Sequence, residues 1–86
     1  MITSFVFVKS EPRHMVSLGQ SIADLEGVRE VYSTMGEADL IAILWVADHE
    51  QIATIVTEQI AAMDGVMSTR TSVAYRAYST DDRNLV

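Results

Sequence analysis

Two carboxylates flank a tight glycine turn in Ser33-Thr34-Met35-Gly36-Glu37-Ala38-Asp39-Leu40, which closes one β-forming segment and opens another. Gly36 can take positive φ without steric cost, as hairpin turns often require. Glu37 and Asp39 are acceptors for a cation or for N–H donors. A second polar group, Ser68, Thr69, Thr71 and Ser72, lies in the last β-forming segment and supplies hydroxyls that donate and accept. Catalytic and metal-binding patterns are missing by contrast. His14 and His49 lie far apart, without the i, i+4 spacing of a helical metal pair. There is no Ser/His/Asp set and no glycine-rich phosphate loop. No catalytic residue, metal ligand or cofactor is assigned, and the chemistry is that of binding.

Composition narrows the partners. The 86 residues make one domain, and a chain this short buries only about 60–65% of its unfolded surface. It has no cysteine, so disulfides are excluded as staples, yet 49% of its residues are hydrophobic. Oligomerisation is the remaining common way to stabilise such a chain. The net charge of −6 argues against nucleic acid and against anionic lipid, both of which need clustered Lys and Arg. Lys9, Arg13, Arg29, Arg70, Arg76 and Arg83 form no run. The short apolar start, Met1 to Val8, lacks a basic leader, and no apolar run is long enough to span a membrane. A cytoplasmic location is expected.

The elements that must position the turn follow from periodicity. Ile2 to Lys9 reads as a strand, broken by Ser10-Glu11-Pro12, with Pro12 suited to a first helical turn. Met15, Leu18, Ile22 and Leu25 then fall on one face of a helix from about Arg13 to Glu26, ended by Gly27. Gly19 within it offers room for a strand or partner chain. Val28 to Thr34 reads as a second strand. Leu40 to Ala47 reads as a third that is apolar on both faces, with Ile41, Ile43 and Trp45 on one and Leu40, Ala42, Leu44 and Val46 on the other. Asp48 caps a second helix, with Gln51 placed for a capping box, and Ile52, Ile55, Val56, Ile60 and Met63 continue its stripe to Gly65. Val66 to Tyr78 reads as the last strand, so the domain is expected over 1–78 with a tail over 79–86.

The halves repeat. Gly65-Val66 follows Gly27-Val28 by 38 positions (65 − 27), and at that offset Phe5 meets Ile43, Phe7 meets Trp45, Leu18 meets Val56 and Ile22 meets Ile60. Two strand–helix–strand units with right-handed crossovers give an α+β, ferredoxin-like βαββαβ fold. Its four-stranded antiparallel sheet carries both helices on one face. The other face is left with large apolar side chains, which is unusual for a monomer and implies sheet-to-sheet dimerisation. Covering by the tail is the alternative, for which only Leu85 and Val86 offer apolar surface. Trp45 reads as core or interface.

The Thr34–Leu40 turn with its Gly-x-x-Asp (Gly36, Asp39) and the run Gly65-Val66-Met67-Ser68-Thr69-Arg70-Thr71 resemble the effector-binding, or RAM, domain of the Lrp/AsnC transcription regulators. The resemblance covers roughly residues 2 to 76. Its beginning at residue 2 leaves no helix-turn-helix module, so a stand-alone member is expected. The resemblance implies homodimers that assemble into a higher ring, an octamer or similar, with amino acids bound between dimers. Direct contact with nucleic acid is not implied, and a full-length Lrp/AsnC regulator is a further candidate partner. It implies that Met35, Gly36, Glu37, Asp39, Thr69, Thr71 and Ser72 line the ligand site. Turn N–H groups would meet the ligand carboxylate, and Asp39 or Glu37 its ammonium. Each residue also has a plainer role: Asp39 as a turn-former, Glu37 as a solvated turn residue, and Thr69 and Thr71 as strand-formers. Met35 and Met67 offer an adaptable apolar wall. The alternative function is an enzyme resembling the cofactor-independent dimeric α+β barrel monooxygenases. Trp45, His14 and Asn84 would be its polar candidates. His14 precedes the helix stripe and Asn84 lies in the tail, so the binding reading is preferred.

Overall fold

Leu40–Val46 (β3) shows how the period-two pattern becomes a two-layer protein. Leu40, Ala42, Leu44 and Val46 are buried, Ile41 and Ile43 are half-buried, and Trp45 stays 38% exposed. β3 pairs antiparallel with β1 (Ile2–Ser10) on one side and with β2 (Val28–Ser33) on the other. β4 (Val66–Val73) pairs antiparallel with the far side of β1, giving the order β2-β3-β1-β4. The computed structural model describes residues 1–80. It has the expected ferredoxin-like βαββαβ fold.

The buried face of the sheet packs under both helical segments. Val6 and Val8 of β1 join the four buried residues of β3, Leu18 and Ile22 of the first helix, and Ile52, Ile55, Val56 and Ile60 of the second. Fully burying each large side chain is worth about 1.5–3 kcal/mol, so this single layer supplies most of the driving force. Helix α1 (Met15–Ala23) follows a 3₁₀ turn at Pro12–His14, with Pro12 in the position where its missing N–H is harmless. It ends at Ala23, short of the expected Glu26. Gly19 faces β3, where an added methyl would meet Leu40 Cδ2 at 3.7 Å, an ordinary contact.

The 38-residue repeat has a geometric meaning. Phe5 and Ile43, equivalent under the repeat, are direct partners across β1 and β3. A pseudo-two-fold axis therefore passes between them and relates the two halves.

Three local features differ from the expectation. The second helix is α-helical only over His49–Ala53 (α2) and continues as a π-helical segment, Thr54–Ile60. Within it Thr57 Oγ1 donates to the Ala53 carbonyl at 2.6 Å, and the Ala61 N–H reaches five residues back to Val56. Such side-chain competition for a carbonyl loosens the regular ladder. Asp48 caps α2 by accepting from the Gln51 N–H at 2.9 Å, while Gln51 Oε1 accepts from the Ala47 N–H, one residue earlier than in a standard capping box. β4 stops at Val73, not Tyr78. The last paired position is Val73 opposite Ser4, and beyond it the Ala74 N–H still donates to the Thr3 carbonyl. Residues 81–86, with Asn84, Leu85 and Val86 of the expected tail, lie outside the described residues.

Candidate ligand site

The β2–β3 turn is tied to the end of β1. The Asp39 N–H donates to the Val8 carbonyl, and one Asp39 carboxylate oxygen accepts from the Ser10 N–H, both at 2.9 Å. Thr34 closes the turn from the other side: its N–H donates to the Asp39 carbonyl and its Oγ1 to the Ala38 carbonyl. Ser10 is buried and sits where the β1–β4 register slips, so its N–H needs this acceptor. Asp39 thus holds the turn against the sheet. Gly36 turns the chain at φ +123° with nothing within 4 Å of where a Cβ would stand. Met35 beside it is fully exposed.

Between this turn and the β1–β4 edge lies a cleft of about 440 Å³, lined by Phe7, Lys9, Glu37, Ala38, Ser68, Thr69 and Arg70. That volume is in the range of small-molecule sites. The strand register explains the lining. Phe7 pairs with Arg70 and Lys9 with Ser68, so these four side chains share the sheet face turned away from the helices. The Arg70 guanidinium lies 4.9 Å above the centre of the Phe7 ring, a cation–π contact. The slip between Lys9 and Ser10 makes Met67 an extra residue on β4, a bulge of the kind that re-aims strands beside binding sites.

Of the seven residues expected to line a site, Glu37 and Thr69 line this cleft. Met35, Gly36 and Asp39 belong to the turn that forms its wall. Thr71 and Ser72 lie further along β4 and face opposite ways. Thr71 pairs with Val6 and shares the helix side of the sheet, whereas Ser72 pairs with Phe5 on the open side. Phe7, Lys9 and Arg70 were not singled out, and Ser68 only as one of the hydroxyls of the last segment. Alternation alone puts Phe7 and Lys9 on one face of β1, but bringing Arg70 to them requires the β1–β4 register.

Of the groups proposed for an enzymatic pocket, His14 and Trp45 do not converge. His14 packs against Gly65, beside the β1–β4 slip, whereas Trp45 pairs with Thr3 at the other end of the sheet and on its open face. His14 Nδ1 is buried without a hydrogen bond and stands 3.8 Å from a Glu11 carboxylate oxygen. Among the described residues no cluster of His, Asp and Glu has the makings of a metal site, and no helix is long and apolar enough to cross a membrane.

The open face around the cleft is apolar. Phe5, Phe7, Ile41 and Ile43 are only half-buried there, and Trp45 and Tyr32 are exposed. Arg29 lies 5.4 Å over the Trp45 ring. The Tyr32 hydroxyl donates to the Glu30 carboxylate at 2.5 Å, which pushes its pKa up.

Comparison with known proteins places these features in a family context. The model of the Lrp/AsnC ligand binding domain matches residues 3–83. The HTH-type transcriptional regulator LrpA of Pyrococcus horikoshii is 30% identical over 59 residues, which take in 69% of this chain and 42% of LrpA. The chain thus spans less than half the length of that relative. The crystal structure of TTHA0845 from Thermus thermophilus superposes with a TM-score of 0.88 at 40% identity, covering 92% of this chain and 99% of the other. The regulator NMB0573 of Neisseria meningitidis, crystallised as a complex with L-Met, shares the fold at 16% identity. Its TM-score is 0.80, over 92% of this chain and 54% of that one.

Proposed function

The chain belongs to the Lrp/AsnC ligand-binding domain family, and from that premise we propose that it binds an amino acid and couples that binding to its own assembly. The observation that carries the proposal is a juxtaposition. A charged cleft of ligand size opens at the rim of an apolar sheet face that no helix among the described residues covers. A second copy laid on that face would remove Phe5, Ile41, Ile43 and Trp45 from water and wall the open side of the cleft. A domain of this size with one covered sheet face gains the stability that its single core lacks. Dimers formed through the sheet then build a higher ring, such as an octamer, with the β2–β3 turns near the contacts between dimers. A longer Lrp/AsnC regulator that presents the same sheet face is an alternative partner.

The chemistry suits a zwitterion. The N–H groups of Gly36, Glu37 and Ala38 make no hydrogen bond among the described residues and surround a positive-φ glycine, an arrangement that receives a carboxylate. The Glu37 carboxylate supports an ammonium by a charge-assisted hydrogen bond. Thr69 adds a hydroxyl at the cleft, with Ser72 further along β4 on the open side.

A ligand that binds only the assembled form stabilises it by RT ln(1 + [L]/Kd), about 2.7 kcal/mol at a hundredfold excess over Kd. A melting scan against the twenty amino acids tests the proposal. At least one should raise the melting temperature at millimolar concentration. If none does, the amino-acid reading fails.

A further inference from the structure

We infer that the ligand is a dicarboxylic amino acid, with L-aspartate and L-glutamate as the chemical class, and that Lys9 and Arg70 hold its side-chain carboxylate. The inference rests on the amino-acid reading above and adds the residues that select within that class.

Three observations carry it. First, the register makes Lys9 and Arg70 diagonal neighbours on one sheet face: Arg70 pairs with Phe7, and Lys9 with Ser68. Diagonal positions bring side chains roughly 7–8 Å apart, within joint reach of one small anion. Second, among the described residues neither cation is paired with a carboxylate. The ion pairs among the described residues join Glu11 to Arg13 and to His14, and neither Lys9, Arg70 nor Glu37 takes part in one. Two like charges at diagonal positions add no attraction to the fold. Third, the charge of the cleft contrasts with that of the chain. Two of the six basic residues of a protein with net charge −6 line the same cleft, with Glu37 the one acid among the described lining residues.

The ligand class follows from charge matching. Two cations and one carboxylate complement a molecule with two carboxylates and one ammonium. A neutral amino acid leaves a cation unmatched, and a simple dicarboxylate places no positive charge against Glu37. Phe7 adds an apolar wall for the ligand's methylene groups. Its ring also carries the Arg70 guanidinium above it, which fixes the planar donor toward the cleft.

Titration calorimetry on the whole chain tests this with L-aspartate, L-glutamate, L-asparagine, L-glutamine, L-leucine and succinate. One acid should bind at least about tenfold more tightly than its amide, the scale of one charge-assisted hydrogen bond set. Lys9→Gln and Arg70→Gln should each narrow that acid-over-amide preference to within about threefold. Lys9→Arg should keep it, and circular dichroism of each variant confirms that the exposed substitution leaves the fold intact. A neutral amino acid binding as tightly as the acids overturns the inference while leaving the proposed function standing. Succinate binding as tightly as L-aspartate overturns it through Glu37. Retention of the preference in both Gln variants overturns the roles of Lys9 and Arg70. If no amino acid binds, this inference and the proposed function fall together.

Discussion

Replacing Asp39 with alanine isolates the strut that holds the turn. The substitution removes the acceptor of the Ser10 N–H, a 2.9 Å bond between residues 29 apart in sequence, at the point where the β1–β4 ladder slips. The bond is charge-assisted and its donor belongs to a buried residue. Such bonds are worth about 1.5–3 kcal/mol, and an orphaned buried N–H keeps its desolvation penalty. Asp39 itself is half-buried, so the lower part of that range applies, about 1.5–2.5 kcal/mol. For a domain of this size each kcal/mol moves the melting temperature by roughly 4–8 °C, which gives a drop of about 6–20 °C. Asp39→Asn, which keeps an acceptor but loses the charge, should fall roughly half as far. The assay is thermal melting followed by circular dichroism. Wild type and variants are held at one protein concentration because assembly shifts the midpoint. A drop under about 3 °C for the alanine variant, less than one kcal/mol by the same conversion, would refute the reasoning.

Further outcomes follow from the same contacts. Gly65→Ala should cost about 2–4 kcal/mol in denaturant unfolding. Position 65 has φ +93°, and the new methyl would stand 2.5 Å from His14 Cβ, which His14→Ala does not relieve. Gly19→Ala should raise stability by about 0.5–1 kcal/mol, because the helix gains propensity and the methyl meets only Leu40 at ordinary contact distance. The Tyr32 phenol should ionise above the ordinary value of about 10 in an ultraviolet titration, and Glu30→Gln should bring it back. The phenol hydrogen bond to Glu30 raises this pKa, with burial and the carboxylate's charge adding to it. Its contribution to stability is therefore present below the unfolded value and lost as pH rises through the folded one.

Much of this architecture was legible because it rests on local patterns. Leu18 and Ile22, and Ile55, Val56 and Ile60, announced their helices by spacing, and the run Leu40–Val46 announced a strand with apolar side chains on both faces. The 38-residue offset carried the topology, since it foreshadowed the Phe5–Ile43 pair on the pseudo-two-fold axis. What escaped depends on long-range register. β4 ends at Val73, opposite Ser4, a boundary absent from the β-rich run itself. Lys9 and Arg70 meet only once the β1–β4 pairing is fixed. The turn-holding role read for Asp39 could not name its partner, because the Ser10 N–H lies at the end of β1, 29 residues away in sequence. Thr71 and Ser72 could have been separated earlier, because neighbours in a strand face opposite sides.

Sedimentation velocity with and without the amino acid that gives the largest melting shift tests most directly the link between ligand and assembly. The 9.5 kDa chain should sediment as a dimer or larger species at micromolar concentration, and the ligand should move the distribution to heavier particles. A 9.5 kDa monomer unchanged by any amino acid would contradict it.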